Sequence, residues 1–274
     1  MKKRLNKSSR KNKRAIIKHI RKKVIKKVIK KSKEKNQKKK ITRVQTGIKN
    51  LDELIEGGFI KNSTNLLVGG SGTGKSTLST EFLIGGIKRG EKCLYVTFEE
   101  KKDRFFTNMK RLGYDLELYE KKGLFTFLEY TPAKVKTMLE EGGGEIESVI
   151  IKKKVTRMVI DSITSFELLF KEELEKREAS LSLFNMISKW NCTSFLTFEG
   201  KPLKESNETS RTLEFEADSI ILLYYIRDKK SRKRYLEILK MRGTDHSKDV
   251  HEFQIEKTGI VIKKAPENKP PENI

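Results

Sequence analysis

Eight consecutive residues carry the clearest chemistry in the sequence. Gly69-Gly70-Ser71-Gly72-Thr73-Gly74-Lys75-Ser76, followed by Thr77, matches G-x-x-x-x-G-K-[ST]. Each position answers a need. Glycines let the backbone curl so that successive N–H groups converge on a phosphate, and the following helix N-terminus adds a positive dipole. Lys75 supplies a mobile cation for the β- and γ-phosphates, and the Ser76 hydroxyl is a ligand for Mg²⁺. The loop follows an apolar run (Asn65–Val68) and opens a helical pattern, which is the context the motif requires. A nucleoside triphosphate is the implied ligand.

Acidic residues suited to the same site stand at the ends of two other apolar runs. Asp161 closes Met158-Val159-Ile160. A carboxylate at the C-terminal end of a parallel strand faces the crevice where nucleotides bind, and there it would hold Mg²⁺, through a water. A helix N-cap is the other use of an Asp in that position. Glu99 and Glu100 follow Tyr95-Val96-Thr97-Phe98. Either could orient or deprotonate an attacking water, and strand alternation predicts that only one aims at it. Farther along, Lys240 and Arg242 lie two apart before Gly243, with Thr244 and His246 just beyond. Two cations on one strand face could clamp a phosphate or simply form a solvated edge.

These residues need a framework. The predicted strands are 65–68, 93–98, 124–130, 157–160 and 193–198, separated by helical patterns at 75–89, 101–112, after 130, and at 173–190. Residues 219–226, 234–241 and 252–262 then read as consecutive strands. Strands alternating with helices argue for a mostly parallel α/β sheet, and the strand-only end for an antiparallel extension.

Charge separates the chain into parts. Of 274 residues, 61 are Lys or Arg and 37 Asp or Glu, a net charge of +24. Residues 1–40 hold 21 of the basic residues and one acid, Glu34, leaving a body that is nearly balanced at +4. A uniformly basic protein is excluded. Within this arm Ile16, Ile17, Ile20, Val24 and Val28 recur at helical spacing, while 32–40 reads as a self-repelling linker. The expected organisation is a basic, partly amphipathic and disordered arm (1–40), a nucleotide-binding body (41–262) and a disordered Pro-, Lys- and Glu-rich tail (263–274). Cys93 and Cys192 cannot build a disulfide framework and read as buried thiols. No apolar run is long enough for a membrane span, and the N-terminus lacks an apolar signal core, so the expected setting is the cytoplasm.

The body resembles the KaiC-like branch of the RecA superfamily of ATPases, over about 41–262. The resemblance rests on Thr46–Phe59 (TGIKNLDELIEGGF), the phosphate loop, TFEE at 97–100, IDSIT at 160–164 and Leu236–His246 (LEILKMRGTDH). It implies a RecA-like P-loop core, ATP and Mg²⁺ as cofactors, and a homo-oligomeric ring, often a hexamer, with ATP between subunits. It further implies that Glu99 and Glu100 are the catalytic carboxylates. Lys240 and Arg242 would reach the γ-phosphate of the neighbouring subunit, with Thr244 and His246 beside the nucleotide. Glu256 and Lys257 stand where the family carries a Thr-Asp pair near the base, and the basic arm is outside the family pattern. The overall look is that of single-domain archaeal members.

Three functions follow as expectations: an ATP-hydrolysing ring that regulates a partner, a nucleotide-gated binding module with little turnover, and a nucleic-acid-stimulated ATPase. The intact TFEE favours the first over the second. The arm is the main argument for the third, since a +20 segment attracts polyphosphate and without an aromatic residue would do so blind to sequence; a solubilising disordered tail and a basic helix on an anionic membrane surface are its other readings.

Overall fold

Strands covered on both faces are apolar along their whole length, and Thr64–Gly69 and Cys93–Thr97 are buried at every position. The computed structural model describes residues 41–200, 213–228 and 231–263. The expected arm at 1–40 and all of the expected tail except Lys263 lie outside the described residues.

In chain order the elements are β1 (Arg43–Val44), α1 (Leu51–Leu54), β2 (Phe59–Ile60), β3 (Thr64–Gly69), α2 (Lys75–Ile87), β4 (Cys93–Thr97), α3 (Lys102–Arg111), α4 (Leu116–Lys121), β5 (Phe125–Glu129), α5 (Pro132–Glu141) and α6 (Gly144–Lys153). Then come β6 (Arg157–Asp161), α7 (Ile163–Glu167), α8 (Glu173–Lys189), β7 (Thr193–Phe198), β8 (Ser219–Asp228), β9 (Ser231–Met241), β10 (His251–Glu256) and β11 (Gly259–Ile262). A nine-stranded sheet has the order β11-β10-β9-β8-β3-β7-β6-β4-β5. From β8 through β5 all neighbours run parallel, and β9, β10 and β11 extend the sheet antiparallel. The expected fold class is therefore the observed one: α/β, a mostly parallel sheet with an antiparallel C-terminal extension. β1 and β2 pair separately.

Strand residues alternate between two cores. Leu67, Tyr95, Val159, Phe195 and Ile221 face α2, where Phe82 stacks on Phe195 at 4.4 Å between ring centroids. Leu66, Leu94, Met158, Leu196 and Ile220 face the other way, onto Leu183 and Ile187 of α8 and Ile146 and Ile150 of α6. The two cysteines are buried and free, as expected.

Arg157 ties β6 both to α2 and, through an ion pair, to the turn that follows α2. Arg157, the first residue of β6, is 1% exposed. Its Nε and Nη2 donate to the two carboxylate oxygens of Glu91 at 2.8 and 2.6 Å, and its Nη1 donates to the Phe82 carbonyl at 2.9 Å. Partial burial would raise the Glu91 pKa, but the Arg157 hydrogen bonds and charge outweigh it and hold the carboxyl below the usual range.

Three short helices were not anticipated from sequence, α1, α4 and α7, and the helical stretch expected after residue 130 is two helices, α5 and α6. The 252–262 stretch, read as a single strand region, is a hairpin in which Gln254 pairs with Val261.

Candidate functional site

The parallel strands β3, β4, β6 and β7 end on one edge of the sheet, and a cleft of about 380 Å³ opens there. The phosphate loop occupies the turn from β3 to α2. Gly74 caps the helix at φ 100°, a left-handed conformation that glycine adopts freely. Gly69 has no room for a side chain, since a Cβ would come 2.6 Å from the Leu223 carbonyl of β8. The first turn of α2 carries no acidic residue and no side-chain cap, so its N–H groups are left for an anion. The Thr73 hydroxyl donates to the Gly70 carbonyl at 2.9 Å, and Lys75 Nζ lies on the Gly69 and Gly70 carbonyls at 2.8 and 3.0 Å. Ser71, Gly72, Gly74, Lys75, Ser76 and Thr77 all line the cleft.

Asp161 is not a helix cap; Ser162 takes that position for α7. The Asp161 carboxylate accepts hydrogen bonds from Ser76 Oγ at 2.7 Å and from Thr197 Oγ1 and Tyr95 Oη at 2.5 Å each. Burial, and then the Asp161 charge, push the Tyr95 phenol well above its ordinary pKa, so it stays a donor. Ser76 and Asp161 together offer the hard oxygen ligands that Mg²⁺ prefers, and few of them. That suits an ion that takes most of its ligands from water and from nucleotide phosphates. No cluster of three or more His, Cys, Asp or Glu able to hold a metal occurs among the described residues.

Glu99 and Glu100 both line the cleft, although adjacent strand residues would point to opposite faces. The reason is that β4 ends at Thr97. Beyond it the Thr97 hydroxyl accepts the Glu99 and Glu100 N–H groups at 3.2 and 3.1 Å, forming a turn in which the two-residue period no longer holds. Glu99 Oε1 is held by the hydroxyls of Ser162, at 2.7 Å, and Ser165. Glu100 Oε1 accepts from Asn108 Nδ2 at 3.1 Å, with Arg104 nearby on the same helix.

Lys240, Arg242, Thr244 and His246 are absent from this cleft. Lys240 of β9 pairs with Ile220, near the start of β8, whereas the phosphate loop begins at the far end of the β3–β8 ladder, where Gly69 pairs with Leu223. Lys240 Nζ donates to the carbonyls of Glu214, Phe215 and Ala217 at 2.8, 3.3 and 2.8 Å. Burial and the neighbouring Arg242 charge lower its pKa. Arg242 donates to the Phe215 carbonyl, Thr244 accepts from Arg43 at 3.0 Å, and His246 Nδ1 lies 2.8 Å from the Ser247 carbonyl.

Sequence reasoning missed several lining residues: Thr97, Ser162, Glu199, Arg234 and Ile255. Arg234 donates to the Gly72 carbonyl at 3.1 Å, and its guanidinium lies 4.4 Å from the Tyr225 ring centroid. Thr97 and Ser162 lie within the TFEE and IDSIT segments, whereas Arg234 comes from β9, two strands away from β3, with no local signal.

Comparison with known proteins identifies the family and agrees with this fold. The family model described as "ATPase: KaiC" matches residues 44–267. A UPF0273 protein of Pyrococcus furiosus is 32% identical over 235 residues, covering 81% of this chain and 94% of its own length. The circadian clock protein KaiC3 of Synechocystis is 31% identical over 232 residues, and the match covers 81% of this chain but 46% of that protein. The chain thus spans less than half the length of this clock relative. The crystal structure of a KaiC-like protein from Pyrococcus horikoshii superposes with a TM-score of 0.73 at 36% identity, covering 81% of this chain and 99% of that one. No helix among the described residues is long and apolar enough to cross a membrane. The chain belongs to the KaiC family of ATPases, and its body has that family's RecA-like nucleotide-binding fold.

Proposed function

We propose that this domain is a Mg²⁺-dependent ATPase, converting ATP and water to ADP and phosphate, and that it works as an oligomeric, nucleotide-driven regulator of a partner. One observation carries the reading: Lys75, Ser76, Asp161 and the Glu99–Glu100 pair share a single cleft. Lys75 would exchange its two loop carbonyls for the β- and γ-phosphate oxygens, while the α2 N-terminus and loop N–H groups bind the remaining phosphate charge. Ser76 and Asp161 would hold Mg²⁺. When bound, that ion neutralises charge on the phosphate oxygens. Glu99 or Glu100 would accept a proton from, or orient, the attacking water.

The position of Lys240 and Arg242 away from their own cleft supports a role on a neighbouring subunit's nucleotide, in a ring of the family's hexameric kind. Thr244 and His246 would lie beside that nucleotide. Hydrolysis would then depend on assembly.

The deciding experiment is ATP binding by Lys75→Ala. Loss of binding is expected, and retained micromolar binding would refute the site. The charge of residues 1–40 makes nucleic acid the first partner to test. Turnover stimulated by single-stranded or duplex nucleic acid, and steeply lost with salt, would identify a nucleic-acid-dependent ATPase. Turnover indifferent to nucleic acid would favour a protein partner.

A further inference from the structure

Asp161 is gripped from both sides by strands that flank its own. β6 lies between β4 and β7, with Thr97 opposite Asp161 on one side and Ile160 paired with Leu196 on the other, so Thr197 stands beside Asp161. The two-residue period of strands places Tyr95, Asp161 and Thr197 on one sheet face, the face covered by α2. That helix begins with the phosphate-loop Lys75 and Ser76. Three hydroxyls therefore converge on one carboxylate: Ser76 and Tyr95 on Oδ2, and Thr197 on Oδ1.

The three donors differ in freedom. Ser76 is partly exposed and lines the cleft, so its oxygen is open to a metal ion. Tyr95 and Thr197 are both 0% exposed. The Tyr95 ring is wedged against Phe105 at 4.5 Å and stacked on Phe127 at 5.7 Å, which fixes the direction of its hydroxyl. Both rings belong to the hydrophobic core and neither lines the cleft.

We propose that Tyr95 and Thr197 are positioning residues for the metal: their buried hydroxyls hold the Asp161 carboxylate in the orientation in which it and Ser76 take up a divalent cation with the nucleotide. Neither residue touches nucleotide or ion. Each acts through Asp161, as hydrogen-bond partners behind a metal ligand do elsewhere, where their loss costs about 10- to 100-fold in metal affinity or activity. The inference rests on the ATPase reading of the cleft and adds to it the part of the core that sets its metal dependence.

The test is Tyr95→Phe in the full chain, which removes one oxygen and leaves the ring packing in place. Mn²⁺ binding is titrated by electron paramagnetic resonance in the presence of a non-hydrolysable ATP analogue. Analogue binding is measured separately without metal. Tyr95→Phe and Thr197→Val are each expected to weaken Mn²⁺ binding about tenfold while metal-free analogue affinity stays at the wild-type value, and Thr197→Ser, which keeps the hydroxyl, is expected to restore Mn²⁺ affinity. Wild-type Mn²⁺ affinity in Tyr95→Phe overturns the proposal, as does a loss of metal-free analogue binding equal to the loss of Mn²⁺ binding. A wild-type protein that binds the analogue without taking up Mn²⁺ overturns instead the ATPase reading beneath it.

Discussion

Glu91→Gln isolates what the buried Arg157 contributes and fixes the sign of its pH dependence. In the wild type the Arg157 guanidinium has a two-pronged grip on Glu91 and a third bond to the Phe82 carbonyl, and it lies 4.8 Å from the Phe82 ring centroid. The substitution keeps the shape, leaves one carbonyl oxygen as acceptor, and places an amide where the second acceptor stood. Breaking a buried pair by removing one partner costs about 3–5 kcal/mol, because the remaining charge is left uncompensated. Glu91 is 26% exposed on its side chain, so water can reach part of the gap, and about 2–3 kcal/mol is the expected loss. At about 2–4 °C per kcal/mol for a domain of this size, the melting temperature should fall by about 4–12 °C. Glu91 has a lowered folded-state pKa. Its contribution is therefore complete above the ordinary carboxylate pKa of about 4.3 and is lost as pH falls through the lower folded value. Urea unfolding of both proteins between neutral and acidic pH checks this. The gap should be constant near neutrality and narrow in acid. A loss below about 0.5 kcal/mol, the range of ordinary surface substitutions, or a gap that widens in acid, would refute the reasoning.

Other expectations can be checked alongside. Glu99→Gln combined with Glu100→Gln should keep ATP binding and stop turnover; unchanged hydrolysis would remove both carboxylates from the mechanism. Arg242→Ala should leave ATP binding by each chain intact and abolish hydrolysis, and normal turnover would count against action in trans. Gly85→Ala, in mid-helix, would ordinarily stabilise by about 0.5–1 kcal/mol. Here the added Cβ would sit 2.1 Å from the Thr46 carbonyl, so a clear drop in melting temperature is expected. Arg234→Ala removes one wall of the cleft and the bond to Gly72. It should weaken ATP binding about tenfold, or about 1.4 kcal/mol, as measured by calorimetry.

Much of this architecture is legible in residue order because its signals are local. The phosphate loop is a contiguous motif, and the buried parallel strands are contiguous apolar runs, so β3, β4, β6 and β7 and the loop itself follow from reading along the chain. Tyr95, Thr197 and Ser162 escape notice because each is an ordinary residue in its own segment. They become a group only when the strand order places β4 and β7 on either side of β6. Arg234 and Ile255 enter the cleft from β9 and β10, which the antiparallel extension folds toward the loop, and no local pattern encodes that return. The glutamate pair shows the opposite difficulty. The alternation rule is sound, but β4 stops at Thr97, and a strand end one residue earlier than expected changes where both side chains point.

The placement of β3 between β7 and β8 has a consequence for how the protein comes into being. Asn65 donates to the Ser194 carbonyl 129 residues away and accepts from Ser219 154 residues away. The strand that presents the phosphate loop is thus made before every other strand of the nine-stranded sheet and has no sheet neighbour until β7 has followed. Pairings this distant in sequence fold slowly, since the entropy of closing such loops is spent before any contact repays it. A chain interrupted before Thr193 would carry the entire nucleotide-binding motif on a strand with neither of its ladders. During synthesis, affinity for nucleotide should therefore emerge late and abruptly, so that ATP would act on newly made chains as a ligand selecting those that have completed their sheet.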